Sequence, residues 1–558
     1  MKRKLKKIIK ATINDCFEQG VLKRTDLPDY VIEIPNNPDH GHFATNLPLM
    51  LSSSRKRNPR EIASVIIDHI KDEENLLENA ELAGPGFINF RIRSEKWHSV
   101  LSDIVRLRED YGRNNMGEGL KILVEFVSAN PTGPLHLGHG RGAALGDTLC
   151  RIFSFCGYDT VREFYINDAG KQILLLGKSI FSRLKQMSDP DYPFPEDGYR
   201  GDYILELAGA ISKDIDLNDI SEKEAVDICA GKGKKKMLEE IKGDLALFRV
   251  SFDVWYSETF LHDSGLFQKT LEMLKTKGQL YEKDGAVWIK TSDFGDDKDR
   301  VIRKNDGRYT YFASDISYHL DKKTRGFAKA VNIWGADHHG YVPRVKAALS
   351  ASGFSENWLS VMLIQLVKLW KNGQEMKMSK RSGSFVTLQE LVTEVGVDAA
   401  RFVFLSKSHD STLDFDIDLV KKQDSDNPVY YVQYAHARIC SIFRKAALEG
   451  ISLPHTPEGL LKYLVLDEEM ALIRQMAIFP SLLEDICGTL EPHRLTYYLT
   501  SLASSFHRYF NLGSKIPDNR IITTEPALSL ARLFLVDAVR VVIANGLELL
   551  GITAPTQM

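Results

Sequence analysis

Lys121-Ile122-Leu123-Val124-Glu125-Phe126-Val127-Ser128-Ala129-Asn130-Pro131-Thr132-Gly133-Pro134-Leu135-His136-Leu137-Gly138-His139 decides the reading of this chain. From Ile122 to Val127 only Glu125 is polar, and that continuous β-branched and aromatic run predicts a strand buried on both faces of a parallel sheet. Pro131 and Pro134 then keep the chain extended, while Gly133 and Gly138 let a polyanion approach the backbone. A helix follows from about Gly138, so strand, glycine-containing turn and helix succeed one another as in the opening half of a nucleotide-binding sheet. His136 and His139 stand at the mouth of that helix. Its N-terminus favours negative charge by about 0.3–1 kcal/mol, and imidazole donors add direction to that pull. Taken alone, an H-x-x-H pair is also a metal half-site or a helix-surface pair; the surrounding prolines and glycines favour the phosphate reading.

A second stretch, Lys377-Met378-Ser379-Lys380-Arg381-Ser382-Gly383, supplies what the first lacks. Lys377 and Lys380 can neutralise a departing pyrophosphate, and Ser379, Ser382 and Gly383 are small enough to let a loop close. Such a charge run alone is usually a solvated surface. Paired with the first stretch, it reads as the other jaw on a triphosphate, in a site that forms an adenylate.

The 558 residues exceed what one core can organise. Residues 1–112 mix helical periodicity at Ile8, Ile9 and Ile13 with a glycine-rich turn into a strand at 83–92, which predicts a small α+β domain. Residues 113–410 carry the sheet pattern, interrupted by a charged, helical insertion at about 173–270. Residues 411–558 are dominated by long helical patterns and predict an all-α bundle. The fold class is therefore multidomain α/β, with a Rossmann-like parallel-sheet catalytic domain.

Lysine and arginine number 72 against 75 acidic residues, so any nucleic-acid surface must be a local patch. The basic cluster Lys2, Arg3, Lys4, Lys6 and Lys7 suits one face of an amphipathic helix, either solvated or in contact with phosphate. Six cysteines are scattered without a C-x-x-C pair, which argues against zinc and a disulfide framework. No apolar run approaches the roughly 20 residues that span a bilayer, so a soluble, cytoplasmic protein is expected, without membrane partners.

With these features in hand, the chain resembles the class I aminoacyl-tRNA synthetases, whose H-I-G-H and K-M-S-K-S signatures stand here as His136-Leu137-Gly138-His139 and Lys377-Met378-Ser379-Lys380-Arg381. Within that class it is similar to the arginyl-tRNA synthetase family along nearly its whole length. Glu125 to Pro131, Tyr165-Ile166-Asn167-Asp168-Ala169-Gly170, and Asp426 through Arg438 carry the likeness. The resemblance implies ATP as co-substrate with Mg2+, L-arginine and an arginine tRNA as partners, a monomer, and no resident metal. It implies catalytic roles for His136, His139, Lys377 and Lys380. It also implies nucleotide contacts from Pro131, Thr132, Gly133, Gly138, Met378 and Ser379.

For arginine, the resemblance implies Glu125, Ser128 and Asn130 at the α-amino end, Tyr311 as a wall, Asp315 on the guanidinium, and His338 where some relatives have glutamine. Tyr311 and Asp315 lie four apart and share a face if a helix begins there. For tRNA, it implies an anticodon-binding bundle with Tyr431, Gln433, Tyr434 and Arg438 on one helix face, and Tyr509 and Met558 at its border. Phe87 and Asn89 belong to an N-terminal module that meets the tRNA elbow. Three alternatives stay open at this stage: a small-molecule adenylating ligase, a non-catalytic RNA-binding relative, and a synthetase for another amino acid.

Overall fold

The computed structural model describes residues 1–35, 37–53, 57–213, 220–376 and 386–558. In the N-terminal domain α1 (Lys2–Glu18) buries Leu5, Ile8, Ile9 and Ile13 along one stripe and leaves Lys6, Lys7 and Lys10 exposed, as its periodicity dictates. Strands β1 (Ile32–Glu33), β2 (Phe43–Thr45), β3 (Leu77–Ala83) and β4 (Phe87–Ile92) form an antiparallel sheet in the order β1-β2-β4-β3. Helices α2 (Leu47–Ser53), α3 (Pro59–Asp68) and α4 (Ser94–Leu107) complete the domain. Asn58 caps α3 by accepting from the Arg60 amide at 2.9 Å, with Pro59 at the first helical position.

The central domain is built on β5 (Lys121–Glu125), β6 (Asp159–Ile166), β7 (Val254–Ser257), β11 (Lys329–Gly335) and β12 (Leu359–Ile364), reached after the outlying strands β8 (Leu280–Lys283), β9 (Ala286–Ile289) and β10 (Arg300–Arg303). The five-stranded sheet has the order β12-β11-β5-β6-β7 and every pair in it is parallel. The chain runs outward from β5 to β7 and then returns to place β11 on the other side of β5. That reversal opens a crevice at the carboxyl ends of β5 and β11, where doubly wound sheets hold their ligands.

Helix α5 (Leu137–Phe155) covers β5 so closely that a Cβ at Gly146 would lie 2.2 Å from the Phe126 ring. Between β6 and β7 come α6 (Lys171–Gln186), α7 (Asp202–Ser212) and α8 (Glu222–Leu247), whose apolar faces form a separate core that includes Leu176, Ile180, Ile204 and Met237. Beyond β7, α9 (Glu258–Asp263) and α10 (Leu266–Thr276) lead to α11 (Tyr311–Thr324) and α12 (Val342–Ala351). After β12, strands β13 (Val367–Lys371), β14 (Gln374–Met376) and β15 (Leu413–Asp416) form a small mixed sheet, with α13 (Leu388–Val395), α14 (Val397–Phe404) and α15 (Ile417–Val420) around it.

The C-terminal bundle comprises α16 (Pro428–Leu448), α17 (Asp467–Met476), α18 (Phe479–Thr489), α19 (His493–Lys515) and α20 (Pro526–Leu549). Its interior holds a buried ion pair, Arg532 Nε to Glu469 Oε1 at 2.8 Å. The fully enclosed Arg401 ties three parts together: it donates to Asp147 of α5 at 2.6 Å, to the Leu550 carbonyl at 2.8 Å and to the Phe248 carbonyl at 3.1 Å. At the other end Lys2 pairs with Asp485 at 3.2 Å and Arg3 pairs with Glu484, so part of the basic N-terminal cluster is used in docking α1 onto the bundle. Among the described residues no helix is long and apolar enough to cross a membrane.

Candidate active site and RNA-facing surface

The crevice is made by the abrupt end of β5. Val127 and Ser128 both take left-handed backbone conformations, with φ of 68° and 41°, which is uncommon for any residue but glycine and costs about 1–3 kcal/mol each. The turn brings Ser128 back over the strand end, where its hydroxyl donates to Glu125 Oε1 at 3.2 Å and accepts from the Tyr165 amide at 3.2 Å. His136 is the N-cap of α5. Its Nδ1 accepts from the Gly138 amide at 3.1 Å, while His139 Nδ1 accepts from the His136 amide at 3.3 Å, and the two rings stack with centroids 3.7 Å apart. A ring whose Nδ1 accepts carries its proton on Nε2, so both imidazoles are fixed in the tautomer that donates from Nε2.

Lys377, Met378, Ser379 and Lys380 lie outside the described residues. Where the described chain resumes, at Val386, Thr387 pairs with His136 across an antiparallel bridge, and the Leu388 amide donates to the Leu135 carbonyl at 2.8 Å. The chain leaving the second motif is thereby fastened beside the first.

Around the strand ends, carboxylates gather. Glu125 closes β5, Asp168 lies in the turn after β6, Glu258 opens α9 directly after β7, and Asp315 sits one turn into α11. The negative charges of Glu258, Asp315 and Glu125 all add to burial in pushing the Tyr165 phenol up. Burial pushes Asp315 up to about 7, opposed by the hydrogen bond it accepts from the Tyr341 hydroxyl and reinforced by the Glu125 charge. Burial also pushes Glu258 up to about 7, with Asp168 and Asp315 adding to it. Asp168 is held low despite its burial, because it accepts from the Thr259 amide and the Ser257 and Thr259 hydroxyls and pairs with Lys234 at 3.4 Å.

Glu125 has a partner of its own: the fully buried Lys322 donates to Oε2 at 2.6 Å and to Asn332 Oδ1 at 3.1 Å. Asn332 faces Glu125 directly across the β11–β5 register.

Of the residues expected from sequence, the fold thus brings Glu125, Ser128 and Asp315 to one recess, with Asn130 beside it, its amide donating to Gln172 Oε1 at 2.7 Å. Tyr311 is the first residue of α11, 76% exposed, with its hydroxyl near Gly170. His338 stands apart at the rim, exposed and next to Trp334. Lys322, Glu258 and Tyr341 were missed. A signal for Lys322 was present, since Asp315 and Lys322 are seven apart on one helix and share a face.

On the bundle, Tyr430 and Tyr434 stack at 5.8 Å, Arg438 lies 4.5 Å over the Tyr434 ring and donates to its hydroxyl at 2.9 Å, and Tyr431 packs on His507 at 4.6 Å. All three tyrosines and Arg438 are half-buried, offering ring faces along one side of α16. Two expected contacts sit elsewhere. Gln433 is buried, its amide donating to Asp398 and to the Thr553 carbonyl, both at 2.9 Å, so it anchors the C-terminal tail. Tyr509 is 1% exposed and donates to Glu469 at 3.1 Å beside Arg532, which makes it a core residue and not a border. The tail then follows α16, accepting from His436 at Pro555 and from Arg444 at Thr556, and ends at the exposed Met558. In the N-terminal domain Phe87 and Asn89 share the half-buried face of β4, while Ile88, Phe90 and Ile92 point into the core.

Family models match the chain in three consecutive pieces: the arginyl tRNA synthetase N terminal domain at residues 3–92, the tRNA synthetases class I (R) catalytic domain at 101–421, and the DALR anticodon binding domain at 432–558. The chain belongs to the arginyl-tRNA synthetase family. It is 48% identical to an arginine–tRNA ligase of Desulfosudis oleivorans and 45% identical to one of Geobacillus kaustophilus. The first match covers all of both chains, and the second covers all of this chain and 99% of the relative. The solved Thermus thermophilus arginyl-tRNA synthetase superposes with a TM-score of 0.78 over 98% of this chain and 99% of its own, at 22% identity, which speaks for the fold alone. Membership makes this a class I, ATP-using enzyme with an anticodon-binding domain.

Proposed function

We propose that this synthetase selects L-arginine in the recess formed by Glu125, Glu258, Asp315 and Tyr341, and joins it to arginine tRNA in two steps. The chain is an ATP-dependent arginine–tRNA ligase. In the first step a carboxylate oxygen of arginine attacks the α-phosphorus of ATP, the bond to the bridging oxygen breaks, and pyrophosphate leaves with its Mg2+. His136 and His139, donating from Nε2 at the N-terminus of α5, stabilise the charge that builds on the α-phosphate. Lys377 and Lys380 take the departing pyrophosphate. Pro131, Thr132, Gly133 and Gly138 shape the backbone under the nucleotide. In the second step the ribose hydroxyl of the tRNA's terminal adenosine attacks the carbonyl carbon of arginyl-adenylate and AMP leaves.

The observation that carries this reading is that Asp315 and Glu258, both pushed up to about 7 by burial and the first adding its charge to the second, have no lysine or arginine in ion-pair contact among the described residues. A guanidinium satisfies both at once. Tyr430, Tyr431, Tyr434 and Arg438 supply stacking faces for unpaired anticodon bases, with Met558 at the edge, and Phe87 and Asn89 face the tRNA elbow. The enzyme works as a monomer in the cytoplasm.

The test is a charging assay over all twenty amino acids with total tRNA. Arginine alone is charged, and Asp315→Asn lowers kcat/KM for arginine about 10- to 100-fold, the loss of one charge-assisted hydrogen bond. Charging of lysine or of a neutral amino acid at a comparable rate would overturn the assignment.

A further inference from the structure

The helical insertion reaches the active site at three points, one from each helix. From α6, Gln172 accepts from Asn130 at 2.7 Å; from α7, the Tyr203 hydroxyl donates to the Thr132 carbonyl at 2.9 Å; from α8, Lys234 reaches Asp168 at 3.4 Å. The insertion has an apolar core of its own, with the Tyr203 ring packed against it.

The Tyr203 contact alone reaches the backbone of the loop. A Cβ at Gly133 would lie 3.1 Å from the Tyr203 hydroxyl oxygen and 3.2 Å from Cζ, so the backbone of the loop rests against the phenol where a side chain would press on it. On its other side the ring sits over Gly201, where a Cβ would fall 2.6 Å from Cε1. Burial pushes the phenol up, so the hydroxyl keeps its proton and remains a donor throughout the working pH range.

We propose that Tyr203 is a positioning residue for the nucleotide: through it the insertion holds the turn at Thr132 and Gly133, and hence the two histidines that follow, at the height the reacting α-phosphate requires. The insertion is thereby part of the catalytic apparatus, and a displacement of α7 is felt at the phosphate before it is felt at arginine. The inference rests on residues 131–139 being the nucleotide grip.

Full-length Tyr203→Phe keeps the ring and deletes the donor. In arginine charging at saturating tRNA, with ATP and arginine varied separately, kcat/KM for ATP falls about three- to tenfold, the loss of one neutral hydrogen bond, while KM for arginine is unchanged. Gly133→Ala pushes the same loop and gives the same split. Combined with Tyr203→Phe it is less than additive, because the oxygen it would press on is gone. Unchanged dependence on ATP, or an equal rise in both Michaelis constants, overturns the proposal. His136→Ala separates the two readings: if it destroys activity while Tyr203→Phe leaves ATP dependence untouched, the grip stands and the clamp falls. Full activity in His136→Ala removes both.

Discussion

Replacing Lys322 by methionine isolates the charge buried behind the recess. Methionine keeps most of the stem's volume and removes the ammonium, which is enclosed completely, bonded to Glu125 at 2.6 Å and to Asn332 at 3.1 Å, and 4.1 Å from the Tyr318 ring centroid. Glu125 is nearly as enclosed, with a side chain 8% exposed, so water cannot take over from the lost cation. Removing one member of a buried pair costs about 3–5 kcal/mol, because the survivor is left as an uncompensated charge. Against the roughly 5–15 kcal/mol that holds a domain folded, this is about a fifth of the total or more.

Urea unfolding followed by tryptophan fluorescence reads the catalytic domain directly, since Trp255, Trp288, Trp334, Trp358 and Trp370 all lie in it. Adding Glu125→Gln removes the stranded charge, and the double variant recovers more than half of the loss, as when a buried pair is replaced whole. A loss below about 1 kcal/mol, the range of exposed pairs, or a double variant less stable than Lys322→Met alone, would refute the claim that the pair is desolvated.

The recess also fixes a pH dependence. Asp315 and Glu258, pushed up to about 7 in the folded enzyme, contribute stability that is fully present below their unfolded values and is lost as pH rises through about 7. A bound guanidinium favours the ionised forms, so kcat/KM for arginine climbs as pH rises through about 7. Calorimetry in buffers of different ionisation enthalpy detects proton release on arginine binding below that pH; a flat profile with no release contradicts the assignment. On the bundle, Arg438→Ala removes the cation over Tyr434 and raises KM for tRNA by about 5- to 150-fold, equivalent to 1–3 kcal/mol of stacking, with the constants for ATP and arginine unmoved. A matching change in either small-substrate constant places Arg438 in general packing instead.

What sequence made legible follows from how local each signal is. The run from Ile122 to Val127 and the turn that follows are written in consecutive residues, so the strand, the helix and the two histidines were visible at once. Asp315 came from the family resemblance, its spacing from Tyr311 adding only that the two share a helix face. Glu258 was not, because nothing near it in sequence distinguishes a buried carboxylate from a helix-opening surface acid; only the parallel crossover to β7 delivers it beside Asp315. Tyr509 failed for the converse reason. Its helical neighbours fix a face but not what covers that face, and the covering groups, Glu469 and Arg532, come from two other helices. Gln433 lies between two tyrosines of the side proposed to meet RNA, yet a step of about 100° per residue turns it toward Asp398 and the C-terminal tail.

On the proposed assignment, the arrangement of charge accounts for the choice of arginine in particular. Four carboxylates meet at the strand ends, and two are settled internally: Glu125 by Lys322, and Asp168 by Lys234 together with two hydroxyls and an amide. Asp315 and Glu258 have no lysine or arginine in ion-pair contact among the described residues: the first accepts from a tyrosine hydroxyl and feels the Lys322 charge, and the second has His262 at 3.9 Å. A neutral side chain entering this recess would leave both to hold protons or to repel. A lysine ammonium brings charge, but as a point that serves one partner well, whereas a planar guanidinium can donate along two edges and meet both. In the proposed recess, selection is set by which carboxylates the fold has already neutralised, and Lys322, which need not touch the substrate, takes part in that choice by pairing with Glu125.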